Sequence, residues 1–241
     1  MKNQRVIKMA DEKTTQNPLS DWAQKMNAYS PKAWEHYRAL QDEVLAAGAL
    51  SRKDKELILV GINAARRYES GMLQHAENAL KEGATVQEFV EVLSVCILSR
   101  GIPAWLEGIK AIEYAIEHSD ETNASPQEKT EPQEAVAYFK QENNGLLPEW
   151  ARIMNDYSPV SLARYAALRQ SELTDAAVSR KLKELVLVGI NLAERYDKGV
   201  QLHINGARKE GATEQEIAEV GLISVLTAGI PAWFEVSGEL G

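Results

Sequence analysis

A repeat with a spacing of 128 residues constrains this chain more than any other feature. The segment WAQKMNAYSPKAWEHYRAL, from Trp22, returns as WARIMNDYSPVSLARYAAL, from Trp150. SRKDKELILVGINAARRYESGMLQHAENALKEGAT, from Ser51, returns as SRKLKELVLVGINLAERYDKGVQLHINGARKEGAT, from Ser179, and the GIPAW at Gly101 returns at Gly229. The alignment runs without a gap through these stretches. A unit this long is a domain and not a solenoid element, whose period is about 20–50 residues. The expected organisation is therefore a first domain over 16–118, a linker over 119–135 and a second domain over 136–241. The linker sequence is polar, carries two prolines and has no apolar stripe. The first fifteen or so residues form a similar polar tail.

Within each copy the pattern is helical. Leu57, Val60 and Ala64 fall at helical spacing, with Ile58 and Ile62 widening the apolar face. Helix formers dominate, and the Asn-Gly pairs that turn hairpins are missing between candidate strands. Thr85-x-x-Glu88 and Thr213-x-x-Glu216 have the form of capping boxes, in which a threonine hydroxyl accepts an amide hydrogen of the first turn. Gly83 and Gly211 precede them as C-cap glycines. Pro103 and Pro231 should kink or restart a helix, since proline has no amide hydrogen. The fold class is all-α: two tandem bundles of about five or six helices each.

Composition excludes several functions. The net charge is −8 and no basic stripe is present, which argues against a nucleic-acid partner. No run approaches the roughly 18 apolar residues of a membrane span, and the N-terminus has no apolar core of a secretory signal. Cys96 is the sole cysteine, so a disulfide or dithiol pair within one chain is impossible. Its apolar setting and its replacement by Ser224 point to an inert buried thiol. The expected compartment is the cytoplasm.

The polar residues shared by both copies are the candidates for chemistry. Glu56, Asn63 and Arg67 share one helical face, as do Glu184, Asn191 and Arg195. His75 is matched by His203 although the neighbours differ, MLQHAEN against VQLHING. A turn near Gly71 or Gly199 folds one helix back on the next and brings glutamate beside histidine. A carboxylate touching an imidazole fixes its tautomer and raises its basicity, making a proton-transfer unit near neutral pH. The same Glu–His–Arg network also reads as one that only orients helices. Arg67 and Arg195 have the forked donors to grip a carboxylate. Tyr68 and Tyr196 read as packing residues or as hydrogen-bond donors to a ligand. Gly71 and Gly199 either permit the turn alone or leave a helix N-terminus open to an anion. Glu69 and Asp197 differ in length and rank below Glu56 and Glu184 as acids. Trp105 and Trp233 suit core or subunit-interface anchors, and His118, with no counterpart, an exposed helix end. One shared histidine per copy and no cysteine cluster argue against a metal.

The stretches from Lys53 to Trp105 and from Lys181 to Trp233 resemble the carboxymuconolactone decarboxylase family, which includes the AhpD-like alkylhydroperoxidases. The resemblance rests on the early helix glutamate, the string His-x-x-x-Ala-x-x-x-Gly-Ala-Thr-x-x-Glu and Gly-x-Pro-Ala. It implies AhpD-like helical bundles that assemble as compact homo-oligomers, for this chain a homotrimer with a homodimer as runner-up. In the peroxidase branch a Cys-x-x-Cys pair follows the glutamate and precedes the histidine. Here the glutamates are Glu56 and Glu184 and the histidines His75 and His203, but the cysteine positions hold Tyr68 and Gly71, or Tyr196 and Gly199. The resemblance therefore implies no dithiol peroxidase, because that reaction needs a thiolate and a resolving thiol. It implies instead a cofactor-free lyase acting on a small cyclic or unsaturated carboxylic acid or lactone. In that reading His75 and His203 supply a proton, Glu56 and Glu184 hold them, and Arg67, Asn63, Tyr68, Gly71, Arg195, Asn191, Tyr196 and Gly199 surround the substrate. The alternative is a non-catalytic ligand-binding or assembly protein that keeps the network for packing.

Overall fold

The structure, a computed structural model, describes residues 21–119 and 133–241. The polar tail and most of the 119–135 linker lie outside the described residues. Helices and turns account for the described chain, with no strand among those residues. The first copy supplies α1 (Asp21–Tyr29), α2 (Pro31–Leu45), α3 (Arg52–Ala65), α4 (Glu69–Lys81), α5 (Val86–Arg100) and α6 (Ile102–His118). The second supplies α7 (Ala135–Glu142), α8 (Glu149–Tyr157), α9 (Pro159–Glu172), α10 (Arg180–Ala193), α11 (Asp197–Lys209), α12 (Glu214–Ala228) and α13 (Pro231–Ser237). The positions that would align with α7 lie outside the described residues.

The local signals act as the sequence suggests. Both capping boxes close, with the Thr85 and Thr213 hydroxyls accepting from the Glu88 and Glu216 amides and each glutamate accepting in return from its threonine amide. Gly83 and Gly211 each have φ +82°, the left-handed conformation that ends a helix. Gly101 and Gly229 break the chain before the GIPAW prolines, so α6 and α13 are restarts and not kinked continuations. His118 ends α6 with its ring stacked on Tyr114 at 4.0 Å. Trp105 and Trp233 pack partly buried against the core.

The described residues up to Asp42 and those from Glu43 onward form two compact units. In the first unit Trp22 packs edge-on to Trp34, which stacks on Tyr37. In the second unit the two copies share one hydrophobic core, a relation that periodicity does not reveal. Its centre is the pair α3 and α10, buried from Lys55 to Ala64 and from Leu182 to Ala193. A helix enclosed on all sides needs apolar residues around its whole circumference, which explains the wide faces in LILVGI and LVLVGI. The crossing depends on glycine: a Cβ on Gly61 would fall 2.8 Å from Val186 Cγ1, and one on Gly189 would fall 2.9 Å from Ile62 Cδ1. A smaller cluster of Ala135, Tyr138, Phe139, Ala151, Leu162 and Ala166 gathers α7, α8 and α9.

Two buried ion pairs cross between the copies in a reciprocal manner. Glu91 of α5 accepts the amide hydrogens of Ala177 and Val178 and lies 3.0 Å from Lys183 Nζ on α10. Its counterpart Glu219 of α12 accepts the amide hydrogens of Ala49 and Leu50 and lies 3.0 Å from Lys55 Nζ on α3. Each lysine also donates to carbonyls before its own helix, Lys183 to Thr174 and Lys55 to Val44 and Ala46. Each copy therefore fixes the loop that leads into the other's central helix. This is the self-complementary contact of a two-fold relation, achieved within one chain.

Candidate functional site

Glu56 stands one turn into α3, whose N-terminus is fixed by Ser51, and is fully buried. The chain reverses over Arg66–Tyr68, and α4 then carries His75 back along α3. The residue that takes the left-handed conformation in this reversal is Arg67, at φ 56°, with Arg195 at 58° in the second copy. Gly71 and Gly199 lie instead inside the first turn of α4 and α11. They are small for a different reason: a Cβ on Gly71 would lie 2.3 Å from Tyr68 Cε1, and one on Gly199 would lie 2.4 Å from Asn191 Oδ1.

The reversal brings together the acid and the imidazole. His75 Nδ1 lies 2.6 Å from Glu56 Oε2, and His203 Nδ1 lies 2.7 Å from Glu184 Oε2. With the carboxylate accepting at Nδ1, Nε2 is the nitrogen left for chemistry. Neither Nε2 makes a hydrogen bond among the described residues, and neither is sealed from solvent. Burial pushes both carboxyls up, but the hydrogen bond and charge of the facing histidine, with arginines nearby, outweigh it and hold each below its ordinary value. Both glutamates are thus held as anions against the rings.

The two copies differ on the other carboxylate oxygen. Arg52 donates to Glu56 Oε1 from Nε at 2.8 Å and approaches it with Nη2 at 2.6 Å. Its counterpart Arg180 turns away to Glu142, at 2.6 Å, and to Glu210, at 3.2 Å. Glu184 Oε1 is left buried without a hydrogen bond, with Arg180 at 3.9 Å and Arg169 at 3.7 Å. Position 14, which aligns with Glu142, is threonine.

The remaining candidates are distributed otherwise. Asn63 Oδ1 accepts from Thr227 Oγ1 and Asn191 Oδ1 from Ser99 Oγ, each at 3.3 Å, so both asparagines tie one copy to the other. Arg67, Tyr68, Arg195 and Tyr196 are exposed. Arg195 donates to the Ala228 carbonyl and lies 3.6 Å from Glu235. Cys96 is buried, and burial pushes its thiol up to about 12. No group of three or more potential metal ligands exists among the described residues, and no described helix is long and apolar enough to cross a membrane.

A cavity of about 540 Å³ opens beside the second pair, between α7, α8, α9 and α11. None of the residues singled out from the sequence lines it. It meets Glu184 through Arg169 and through Gly206, where a Cβ would lie 2.6 Å from the Glu184 carboxyl carbon. Sequence reasoning missed Arg169, Arg180 and Glu142, and missed the Glu91–Lys183 and Glu219–Lys55 pairs. The latter carry a signal, because both members recur at the repeat spacing within apolar helical stretches. Arg169 carries none: the first copy has Gln41 in its place.

The profile of the carboxymuconolactone decarboxylase family matches residues 31–114 and 159–238, one segment in each copy. Among curated proteins, the chain is similar to Uncharacterized protein MJ0742 of Methanocaldococcus jannaschii, 33% identical over 84 residues, covering 34% of this chain and 81% of that protein. Uncharacterized protein MJ1511 of the same organism is 27% identical over 82 residues, covering 34% and 77%. A crystal structure from Burkholderia xenovorans, named "putative gamma-carboxymuconolactone decarboxylase subunit", superposes with a TM-score of 0.67 at 22% identity, covering 91% of this chain and 89% of that one. That likeness shows the fold, and the two profile matches show the lineage of each half: the chain belongs to the carboxymuconolactone decarboxylase family, as a tandem member.

Proposed function

We propose that this chain is a cofactor-free decarboxylase-like lyase acting on a small cyclic or unsaturated carboxylic acid or lactone. The observation that carries the reading is the short contact between histidine Nδ1 and glutamate Oε2, at 2.6 Å and 2.7 Å in the two copies. In the step we envisage, the bond between the substrate carbon and its carboxylate breaks and carbon dioxide leaves. The electron pair passes into a conjugated carbonyl as an enolate. The protonated imidazole then delivers its Nε2 proton to carbon, and the glutamate stabilises the ring while it is charged. Absence of a cysteine pair at positions 68 and 71, or 196 and 199, supports a lyase over a dithiol peroxidase. We place the protein in the cytoplasm as a homotrimer, with a homodimer as runner-up.

The test is a screen of lactones and unsaturated acids for carbon dioxide release. Turnover by the wild type that vanishes in His75→Ala/His203→Ala, with helical content preserved, is the expected result. Turnover unchanged by the double substitution overturns the assignment. A second reading, a non-catalytic protein in which the network only packs, is favoured by one observation: both histidines are less than a tenth exposed. On that reading the double variant loses stability while the wild type turns over nothing in the screen.

A further inference from the structure

We propose that the second half of the chain binds a small organic carboxylate in the cavity beside Glu184, with Arg169 as its anchor, and that the first half does not take this ligand. The inference deepens the lyase reading by assigning a substrate-anchoring residue and an active half, and its carboxylate ligand is the class that reading names. Buried polar groups are nearly always hydrogen-bonded, and here two that are not, the Arg169 guanidinium and Glu184 Oε1, meet beside the cavity. Arg169 is nine-tenths buried, yet its guanidinium donates no hydrogen bond among the described residues; its nearest anionic oxygens, on Glu184 and Glu142, stand at 3.7 and 3.8 Å. Its guanidinium is not sealed, and it lines the cavity. Glu184 Oε1, 3.7 Å from it, is buried without a hydrogen bond.

A planar fork with open donors at a cavity wall is suited to a carboxylate, which can accept two parallel bonds from it. The rest of the wall suits a flat body attached to that carboxylate. Phe139 and Tyr165 stack, and Trp150 meets both rings edge-on. Arg208, paired with Glu214, and Lys209, which donates to the Glu142 carbonyl, complete the wall, and the volume lies in the range of about 300–1,000 Å³ usual for small-molecule sites. The first copy keeps part of this wall, with Trp22, Tyr37 and Lys81 at the places of Trp150, Tyr165 and Lys209, but changes the anchor and its neighbours: Gln41 aligns with Arg169, Leu80 with Arg208, Asn78 with Gly206 and Gln74 with Leu202.

The probe is benzoate, with benzamide as its uncharged isostere, titrated calorimetrically into the full chain. Benzoate should bind at one molecule per chain and benzamide at least about tenfold more weakly, because only the anion engages the guanidinium in charge-assisted bonds. Arg169→Gln, which installs the first-copy residue, should weaken benzoate at least about tenfold, and Arg169→Lys should recover part of the loss. Leu202→Trp, at a partly exposed lining position, should block binding without disturbing the guanidinium, which keeps the test decisive if Arg169→Gln folds poorly. Two molecules per chain, equal binding of benzamide, or binding indifferent to both variants overturns the proposal, as does no binding at all. Benzoate lacks a conjugated carbonyl sink, so these outcomes are separate from the carbon dioxide screen: binding without turnover sinks the lyase alone, and turnover without an Arg169-dependent site sinks this proposal alone.

Discussion

Replacing Glu91 with alanine should be among the most destabilising single changes available in this chain. Glu91 and Lys183 are both about 1% exposed, so neither can fall back on water when its partner is lost. Removing one member of a buried pair costs about 3–5 kcal/mol, because the other charge stays behind. The Val178 amide also loses its acceptor in a buried position, worth about 1–3 kcal/mol, whereas the exposed Ala177 amide can be rehydrated. Lys183 keeps its bond to the Thr174 carbonyl, which trims the total. The expected loss is about 4–7 kcal/mol, comparable with the whole stability of many domains. Glu91→Gln retains a carbonyl for one amide and should cost less. Urea denaturation of wild type, Glu91→Ala, Glu91→Gln and Lys183→Met, completed by the double variant, gives both the loss and its coupling. A loss under about 1 kcal/mol for Glu91→Ala, or additive effects of Glu91→Ala and Lys183→Met, refutes the claim that this pair fastens one copy to the other.

Acid should weaken the fold in a defined direction. Glu56, Glu91, Glu184 and Glu219 are all held below the ordinary carboxylate value despite burial, so their contribution is present above the unfolded value of about 4.3 and is lost as pH falls through their folded values. Urea midpoints measured from pH 7 downward should hold to about pH 5 and then fall; a midpoint that rises on acidification contradicts the geometry. Gly61→Ala should cost about 1–3 kcal/mol by forcing the two central helices apart, and more than Gly189→Ala, because the Val186 it meets is stiff at χ1 while Ile62 Cδ1 is a flexible chain end. Equal costs in thermal melts would remove that explanation. If the second half is the ligand-binding one, His203→Ala should abolish most turnover and His75→Ala little; the reverse order, read from carbon dioxide release, assigns the chemistry to the first half.

How much of this was legible depended on what the repeat could amplify. Several helix boundaries set by local devices could be read directly, the Thr85 and Thr213 boxes and the left-handed Gly83 and Gly211; the glycine-proline pairs left a kink or a restart open, and the caps at Ser51 and Ser179 went unread. The Glu–His contact was also within reach, because a matched pair nineteen residues apart needs only one reversal to meet. The reversal itself was misplaced. Glycine is the usual residue at positive φ, so Gly71 and Gly199 drew attention, while the left-handed residues are Arg67 and Arg195. The glycines answer to crowding by Tyr68, Tyr196 and asparagine instead. Asn63 and Asn191, expected around a substrate, have side chains bonded to Thr227 and Ser99 of the opposite copy. No periodicity within one copy can announce a partner contributed by the other. Arg169 carries no such signal for the opposite reason: the copies differ there, with Gln41 in its place.

That disagreement follows a physical division within the molecule. At the centre of the shared core, positions where the copies face each other are matched in kind: Glu91 with Glu219, Lys55 with Lys183, Gly61 with Gly189, Asn63 with Asn191, Ser99 with Thr227. Each fastens a core common to both copies, so loosening one side loosens the other. Around the cavity Trp150, Tyr165 and Lys209 still match Trp22, Tyr37 and Lys81, but the charged and small residues beside Glu184 do not match: Arg169 aligns with Gln41, Arg208 with Leu80 and Gly206 with Asn78. In an assembly of identical single-copy subunits, a substitution beside one pocket must appear beside every pocket. Fusion removes that requirement while leaving the packing constraint intact. The first copy can then clamp Glu56 fully with Arg52, a satisfied and rigid arrangement, while the second leaves Glu184 Oε1 and the Arg169 fork unpaired at the edge of a cavity. Unsatisfied groups in a buried setting cost stability. A chain whose core is braced by the first copy can carry that cost in the second, which is where a ligand could recover it.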